Sequence, residues 1–263
     1  MVGLNTVFKQ VFGEGLREHG FVKIKGRYPY IVRVVGDEII HLITCRNVWC
    51  REQDCKAIQI LGNWLSVYCP RIDLSRSISE MLNSLLTMGE FYQMTHFEYM
   101  LGLDQIKYKK EDEQSLRAAM EVALNETIKN MIPVFDGINS LETYIENCYL
   151  FLQPLIFNRE EGEINISECT EALMYIQTDY HGDLTEKYQK MLERKIILHE
   201  GGDSISDERR KVLKENYKKA REETLSILNR IYENPEMHKA ALEELKKRKE
   251  RNVEALRSYG LNV

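Results

Sequence analysis

The first seventy residues change their hydrophobic period near Gly20. Residues 4–19 place apolar side chains on one broad helical face, and Gly20 suits the position that follows a helix. The chain then shows alternating, β-branched and aromatic runs that are typical of strands. These runs are FVKIK (21–25), YPYIVRVV (28–35), EIIHLITC (38–45) and KAIQILGNWLSVY (56–68). Gly36-Asp37 predicts a tight turn, and Gly62 predicts a bulge in the last run. The pattern predicts a helix packed on an antiparallel sheet of about four strands.

From Ser75 onward the apolar spacing is mostly helical, and capping residues mark several helix starts, among them Asn234 before Pro235. Apolar and small residues then alternate spacings of four and three along a helix that begins near Ser206. Those positions are Leu213, Tyr217, Ala220, Thr224, Ile227 and Ile231. This seam predicts a long hairpin with a second helix over 236–258. The predicted fold class is α+β, with an α+β module (helix, antiparallel sheet, helix) over 1–104 and a larger all-helical region over 105–263.

Composition and charge narrow the range of partners. The 263 residues are 43% hydrophobic and 29% charged, so the chain can bury a core beneath a polar surface. The net charge is −5 overall and −12 over residues 111–205, which disfavours binding to nucleic acid or to an anionic membrane. We find no apolar run of about eighteen residues and no signal-like apolar segment near the start. We therefore expect a cytoplasmic protein that spans no membrane and keeps its six cysteines as free thiols.

The N-terminal segment resembles a known group of bacterial domains. The matching features are Gly20-Phe21, Lys23, Lys25-Gly26, Tyr30, Gly36-Asp37, Ile39, Trp49 and the strand Ile58-Gln-Ile-Leu-Gly62. On these features residues 7–68 resemble the start of the domain of unknown function 4304 family, although the Asn usual in the family's last strand is missing. The resemblance implies a helix-plus-sheet fold and a bacterial cytosolic setting, and it brings no settled activity. An immunity-type role, as in toxin–immunity gene pairs, is a further hypothesis that no residue here carries.

Three cysteines recur every five residues, at Cys45, Cys50 and Cys55. Structural zinc usually takes thiolates two to four residues apart, because one turn can then point both sulfurs inward. Five residues rotate by about 140° on a helix and reverse the face on a strand, so only an irregular loop could bring the three together. Cys69 lies beyond the next predicted strand. A metal site, a Cys45–Cys55 bridge across the mouth of the hairpin and free thiols all stay open, and the spacing favours free thiols.

A second candidate for metal chemistry is the Asp179-x-His181-x-Asp183 cluster, which could supply oxygen and nitrogen ligands for a metal-dependent hydrolase. A purely structural reading explains the same residues, because His181-Gly182 can end one helix while Asp183 caps the next. We therefore expect no metal and no cofactor. The basic run KKRKER (246–251) is read as a solvated helical face, because Glu residues dilute its charge.

The most promising surface is the polar and aromatic hairpin itself. Arg33, His41, Arg46, Asn47 and Trp49 are the binding-surface candidates, because aromatic residues and Arg anchor many protein interfaces. The alternative is that Tyr30, His41 and Trp49 pack beneath the helices. The leading hypothesis is a non-enzymatic protein-binding or adaptor module, with another protein as partner and with the C-terminal helices offering a surface for a homodimer. The rival is the metal-dependent hydrolase, so the question of enzyme activity stays open.

Overall fold

The computed structural model describes residues 3–50, 52–77, 92–93, 106–147, 166 and 205–263. Within these residues the N-terminal helix packs on an antiparallel sheet and further helices follow, so the predicted α+β class is confirmed. No helix in the described ranges is both long enough and apolar enough to cross a membrane.

The sheet is built around two long neighbouring strands. The strands are β1 (Val22–Lys23), β2 (Ile31–Val35), β3 (Ile39–Val48), β4 (Cys55–Ser66), β5 (Tyr92–Gln93) and β6 (Lys107–Lys109). Their order is β1-β2-β3-β4-β5, and β6 pairs with the beginning of β4 on the same side as β5. The four predicted strands are therefore present as β1 to β4. Strand β6 lies beyond the predicted boundary at residue 104, in a segment that was expected to be helical.

The register of β3 and β4 runs without interruption from Ile39 opposite Ser66 to Val48 opposite Ala57. Successive side chains alternate between the two faces of the sheet, and residues directly opposite each other share a face. His41 and Trp64 form such a pair on the face that contacts the Phe135 ring, whereas Leu42 and Asn63 lie on the other face. All four side chains are fully buried. Both faces of the sheet are therefore covered along this stretch.

The described residues form six α-helices. They are α1 (Leu4–Gly15), α2 (Glu113–Glu126), α3 (Ile132–Asp136), α4 (Leu141–Asn147), α5 (Asp207–Glu233) and α6 (Pro235–Ser258), with a π-helical turn over Thr127–Met131. Ser206 caps α5 through the backbone N–H of Arg209, and Asn234 caps α6 with Pro235 at its first position. The two predicted C-terminal helices are thus observed. The packed hairpin between them is not confirmed, although Leu213, Ile227 and Ile231 of the predicted seam are buried.

Gly62 lies within the unbroken β3–β4 ladder, opposite Ile43, so the predicted bulge is absent. Instead, the absence of a side chain at Gly62 lets Met131 and Phe135 approach the strand backbone closely. A Cβ at position 62 would lie 2.6 Å from the sulfur of Met131 and 2.9 Å from Cζ of Phe135. The segment that links α2 to α3 can therefore lie directly against the sheet at this point.

Replacing Gly62 with Ala is expected to lower the free energy of unfolding by about 2 kcal/mol, because the added methyl group overpacks a tight interior contact. Urea denaturation at constant pH measures the change. Gly3→Ala is the control for an uncrowded methyl group, since a Cβ there would meet no atom within 4 Å; because Gly3 is the N-cap of α1, the control should cost no more than about 1 kcal/mol. If Gly62→Ala unfolds at the same urea concentration as the wild type, the close approach does not restrict this position.

The basic run in α6 is not a solvated face throughout, contrary to the sequence-based interpretation. One face of α6 is buried, and it comprises Ala241, Leu245, Arg248, Asn252 and Leu256. Arg248 is 1% exposed and its Nε donates to Glu244 at 3.0 Å. Lys249 lies 3.9 Å from Glu38, at the turn before β3. This part of α6 therefore docks against the sheet end of the molecule.

Candidate functional site

The structure separates the five predicted binding-surface residues into two groups. Arg33 and His41 lie opposite each other on β2 and β3, and their side chains point toward the helices. Arg46, Asn47 and Trp49 are exposed at the far end of β3. His41 is five to eight residues from the members of the second group along the chain, which corresponds to roughly 16–26 Å. The two groups therefore do not form one surface.

Arg33 and His41 contact Asp136 and Ile138, and we call these four residues the polar latch. It joins the sheet to the segment around α3. Arg33 Nε donates to His41 Nδ1 at 3.1 Å, and Arg33 Nη1 forms an ion pair with Asp136 at 2.8 Å. His41 Nε2 lies 2.8 Å from the carbonyl oxygen of Ile138. Because Nδ1 accepts from Arg33, the proton resides on Nε2, which donates to Ile138. The His41 ring also stacks on Phe135, with the ring centroids 4.8 Å apart.

The environment of the latch holds His41 in its neutral form. Burial and the neighbouring Arg33 charge lower the pKa of His41 to about 3, against smaller raising effects from the Ile138 hydrogen bond and from Asp136. The side chain of His41 has no exposed area, and that of Arg33 is 12% exposed. His41 is therefore not available to a partner while the protein is folded. For His41, the alternative prediction that the side chain packs beneath the helices is therefore the better one, and the prediction of a binding surface is wrong.

The second group lies in what we call the hairpin tip, Arg46–Cys50 together with Glu52–Lys56. Trp49 is 74% exposed, the largest exposed fraction among the exposed large hydrophobic side chains of the described residues. If the β3–β4 register is continued, Trp49 lies opposite Lys56. The indole is therefore presented to solvent from the end of a long two-stranded ladder, and it does not pack beneath the helices.

The hairpin tip is held in place from the side by β6. Tyr108 donates its hydroxyl hydrogen to Asn47 Oδ1 at 2.9 Å, and Lys107 forms an ion pair with Glu52 at 2.8 Å. The backbone N–H of Lys110 donates to the carbonyl of Asp54 at 2.8 Å, and its ammonium donates to the carbonyl of Gln53. These contacts fix both sides of the loop. The short strand β6, which the sequence patterns missed, is thus what orders the candidate surface.

Three depressions adjoin the hairpin tip and share lining residues. The first, about 520 Å³, is lined by Arg46 and Asn47 together with the start of α1 and the Tyr28–Tyr30 segment. The second, about 280 Å³, lies between Asn47 and the start of α2. The third, about 480 Å³, is bounded by Trp49 and by Lys56 and Lys110. Together they make a grooved surface, with a mixed polar and apolar lining, beside an exposed aromatic side chain.

The four described cysteines are free thiols in different environments. Cys45 is 6% exposed and lies opposite Ile60, and burial raises the pKa of its thiol. Cys69 is fully buried near Asn252. Cys50 and Cys55 are half-buried at the hairpin tip. Because Cys55 lies five residues beyond the partner of Cys45, the Cys45–Cys55 bridge that the sequence left open does not fit this register.

Among the described residues, no group of three or more His, Cys, Asp or Glu side chains could hold a metal ion. Asp179, His181 and Asp183 lie outside the described residues. The hydrolase hypothesis that depends on them therefore stays a prediction.

A comparison with protein-family models, with curated proteins and with solved structures found no match for this chain. The resemblance of residues 7–68 to the domain of unknown function 4304 family therefore stays a prediction.

Proposed function

We propose that this chain is a protein-binding module that engages another protein through the hairpin tip, with Trp49 as the anchor. The observation that carries the proposal is the 74% exposure of this Trp at the end of an ordered ladder. Tryptophan is enriched among the residues that dominate binding energy, because it buries a large area at a small cost in conformational entropy. An exposed indole held by a rigid scaffold needs little further ordering when a partner covers it.

The charges around Trp49 support a partner with an acidic rim. Lys56 would share a face with the indole and Lys110 lines the same depression, whereas Lys107 and Lys109, opposite Ala57 and Cys55, lie on the other face of the sheet. Glu52 offsets one of these charges through its ion pair with Lys107. Cationic side chains around an apolar anchor favour a complementary surface with an apolar pocket and carboxylates at its border. As part of the same proposal, we place the protein in the bacterial cytoplasm and treat an adaptor or immunity-type role as its biological form.

Replacing Trp49 with Ala is expected to abolish capture of the partner while changing the free energy of unfolding by less than about 0.5 kcal/mol, because the side chain is mostly in solvent. Affinity purification of the tagged full chain from its native host measures the first effect, and urea denaturation measures the second. The readout is a stoichiometric partner that the wild type retains and Trp49→Ala loses.

Val122→Ala is the matched control, since Val122 is 52% exposed on α2, outside the hairpin tip. This variant should retain the partner. The proposal fails if no stoichiometric partner is recovered, or if the partner remains bound to Trp49→Ala.

A further inference from the structure

Two cysteines of the hairpin tip, Cys50 and Cys55, lie just beyond the last pair of the β3–β4 ladder. Val48 pairs with Ala57, and each step toward the loop moves the pairing outward by one residue on both strands. The ladder ends at this pair; continued for two more steps, its register sets Cys50 opposite Cys55, and both cysteines line the same depression. We propose that Cys50 and Cys55 are a thiol pair that forms a reversible cross-strand disulfide by exchange with a small-molecule disulfide.

The geometry of an antiparallel ladder suits this bond. Directly opposite residues have Cα atoms about 4.5–5.5 Å apart, and disulfides form when the Cα atoms are about 4.4–6.8 Å apart. Cys45, by contrast, lies opposite Ile60, which is five residues or about 16 Å along β4 from Cys55. The register therefore selects Cys50 as the partner of Cys55.

The electrostatics of Cys55 agree with this pairing, because Cys50 is among the groups that act on its thiol. Burial, a hydrogen bond to the Glu52 carboxylate and the charges of Glu52, Cys50 and Asp54 raise the pKa of the Cys55 thiol. The Glu52 contact in turn belongs to the ordered loop, because Glu52 is also held by Lys107. Cys55 therefore keeps its proton more strongly than an ordinary thiol does.

Accessibility restricts the reaction to this pair among the four described cysteines. Cys50 and Cys55 are half-buried, whereas Cys45 is 6% exposed and Cys69 has no exposed area. A dissolved disulfide can reach the hairpin tip without unfolding of the sheet. The two buried thiols are protected unless the protein opens.

The exchange proceeds in two balanced steps. Cys50 loses its proton to water and its thiolate attacks a disulfide R–S–S–R, forming a protein–S–S–R mixed disulfide and releasing R–S⁻. Cys55 then loses its proton to water and its thiolate attacks the Cys50 sulfur, forming the Cys50–Cys55 bond and releasing a second R–S⁻. The two leaving thiolates take up the two protons. Two protein thiols are oxidised and one small disulfide is reduced, and excess thiol reverses both steps.

The experiment is equilibration of the full chain with glutathione mixtures of increasing oxidised fraction, followed by acid quenching, alkylation of free thiols and tryptic mapping. Trypsin cuts after Arg46, Arg51 and Lys56, so the two cysteines fall on the neighbouring peptides NVWCR (47–51) and EQDCK (52–56). The expected result is one species that joins these peptides, is lighter by two hydrogen atoms than their sum, and disappears when reduced glutathione is added back.

Cys55→Ser is expected to stop the reaction at the mixed disulfide, so that glutathione accumulates on peptide 47–51. Cys45→Ser is the control, and it should leave the joined peptides unchanged. The proposal is overturned if both cysteines carry glutathione without joining, if either pairs with another cysteine, or if both remain alkylatable across the whole range. Because the readout is the covalent bond itself, it does not depend on the proposed partner.

Discussion

Replacing Asn252 with Ala is expected to lower the free energy of unfolding by about 3 kcal/mol, because this one side chain satisfies three buried backbone groups. Its Nδ2 group donates to the carbonyl oxygens of Val67 and Cys69, each at 2.8 Å. Its Oδ1 accepts from the backbone N–H of Ile72 at 3.0 Å. Alanine would leave all three groups without this partner in a site where Asn252 itself has no exposed area. Urea denaturation at neutral pH measures the loss.

Two further variants distinguish the loss of the Asn252 hydrogen bonds from general effects of substitution on α6. Glu254→Ala changes an exposed residue on the same helix, and it should alter the free energy of unfolding by less than about 0.5 kcal/mol. Asn252→Asp keeps the shape and the acceptor for Ile72 but turns a carboxylate oxygen toward two carbonyl oxygens. It should be at least as destabilising as Ala at neutral pH. Equal stability of Asn252→Ala and Glu254→Ala would show that the Asn252 hydrogen bonds do not hold α6 to the chain after β4.

Local patterns predict the elements of this fold well, because each carries its own signal. Strands β2, β3 and β4 are rich in β-branched and other apolar residues, and Asn234-Pro235 marks the start of α6 with a cap and a preorganised first residue. Strand β6 was missed for a physical reason. It has two lysines around one Tyr, so its strand conformation depends on pairing with Cys55–Ala57 of β4, far away in sequence.

The candidate site was predicted only in part, and register was the missing information. Arg33 and His41 are paired across the Gly36-Asp37 turn, which a register count could have shown. Their burial depends on Asp136 and Ile138, about a hundred residues later, and no local pattern reveals that contact. Cys50 and Cys55 could have been matched in the same way, by counting outward from the middle of the hairpin. Arg248 and Asn252 are four apart on α6, a spacing that places both on its apolar face.

The stability of the wild type is expected to fall as the pH drops, and His41 is expected to account for about 4 kcal/mol of that loss by pH 3. In the unfolded chain a histidine takes up a proton near pH 6.5. In the folded protein burial and Arg33 lower the pKa of His41 to about 3. Between these two values the unfolded state binds a proton that the native state does not. The stabilisation from neutral His41 is therefore complete above about pH 6.5 and is lost as the pH falls toward about 3.

His41→Phe isolates this effect, because Phe can stack on Phe135 but cannot titrate. At neutral pH the variant should be less stable than the wild type, since Arg33 Nε and the Ile138 carbonyl lose their partner. The difference should then shrink by up to about 1.4 kcal/mol per pH unit below about pH 6.5. Urea titrations at several values from about pH 7.5 to about pH 4.5 measure it, and carboxylates common to both proteins cancel in the difference.

His238→Gln is the control, because His238 lies on α6 beside Tyr232, away from the latch. It leaves the His41 site intact and should keep the pH dependence of the wild type. If the unfolding free energies of His41→Phe and the wild type instead stay parallel across the range, the proton bound by unfolded His41 is also bound in the native state. A charged His41 would then lie beside the charged Arg33 in the folded protein. The half-exposed carboxylate of Asp136 would not be enough to offset both charges, so a second carboxylate would have to lie nearby.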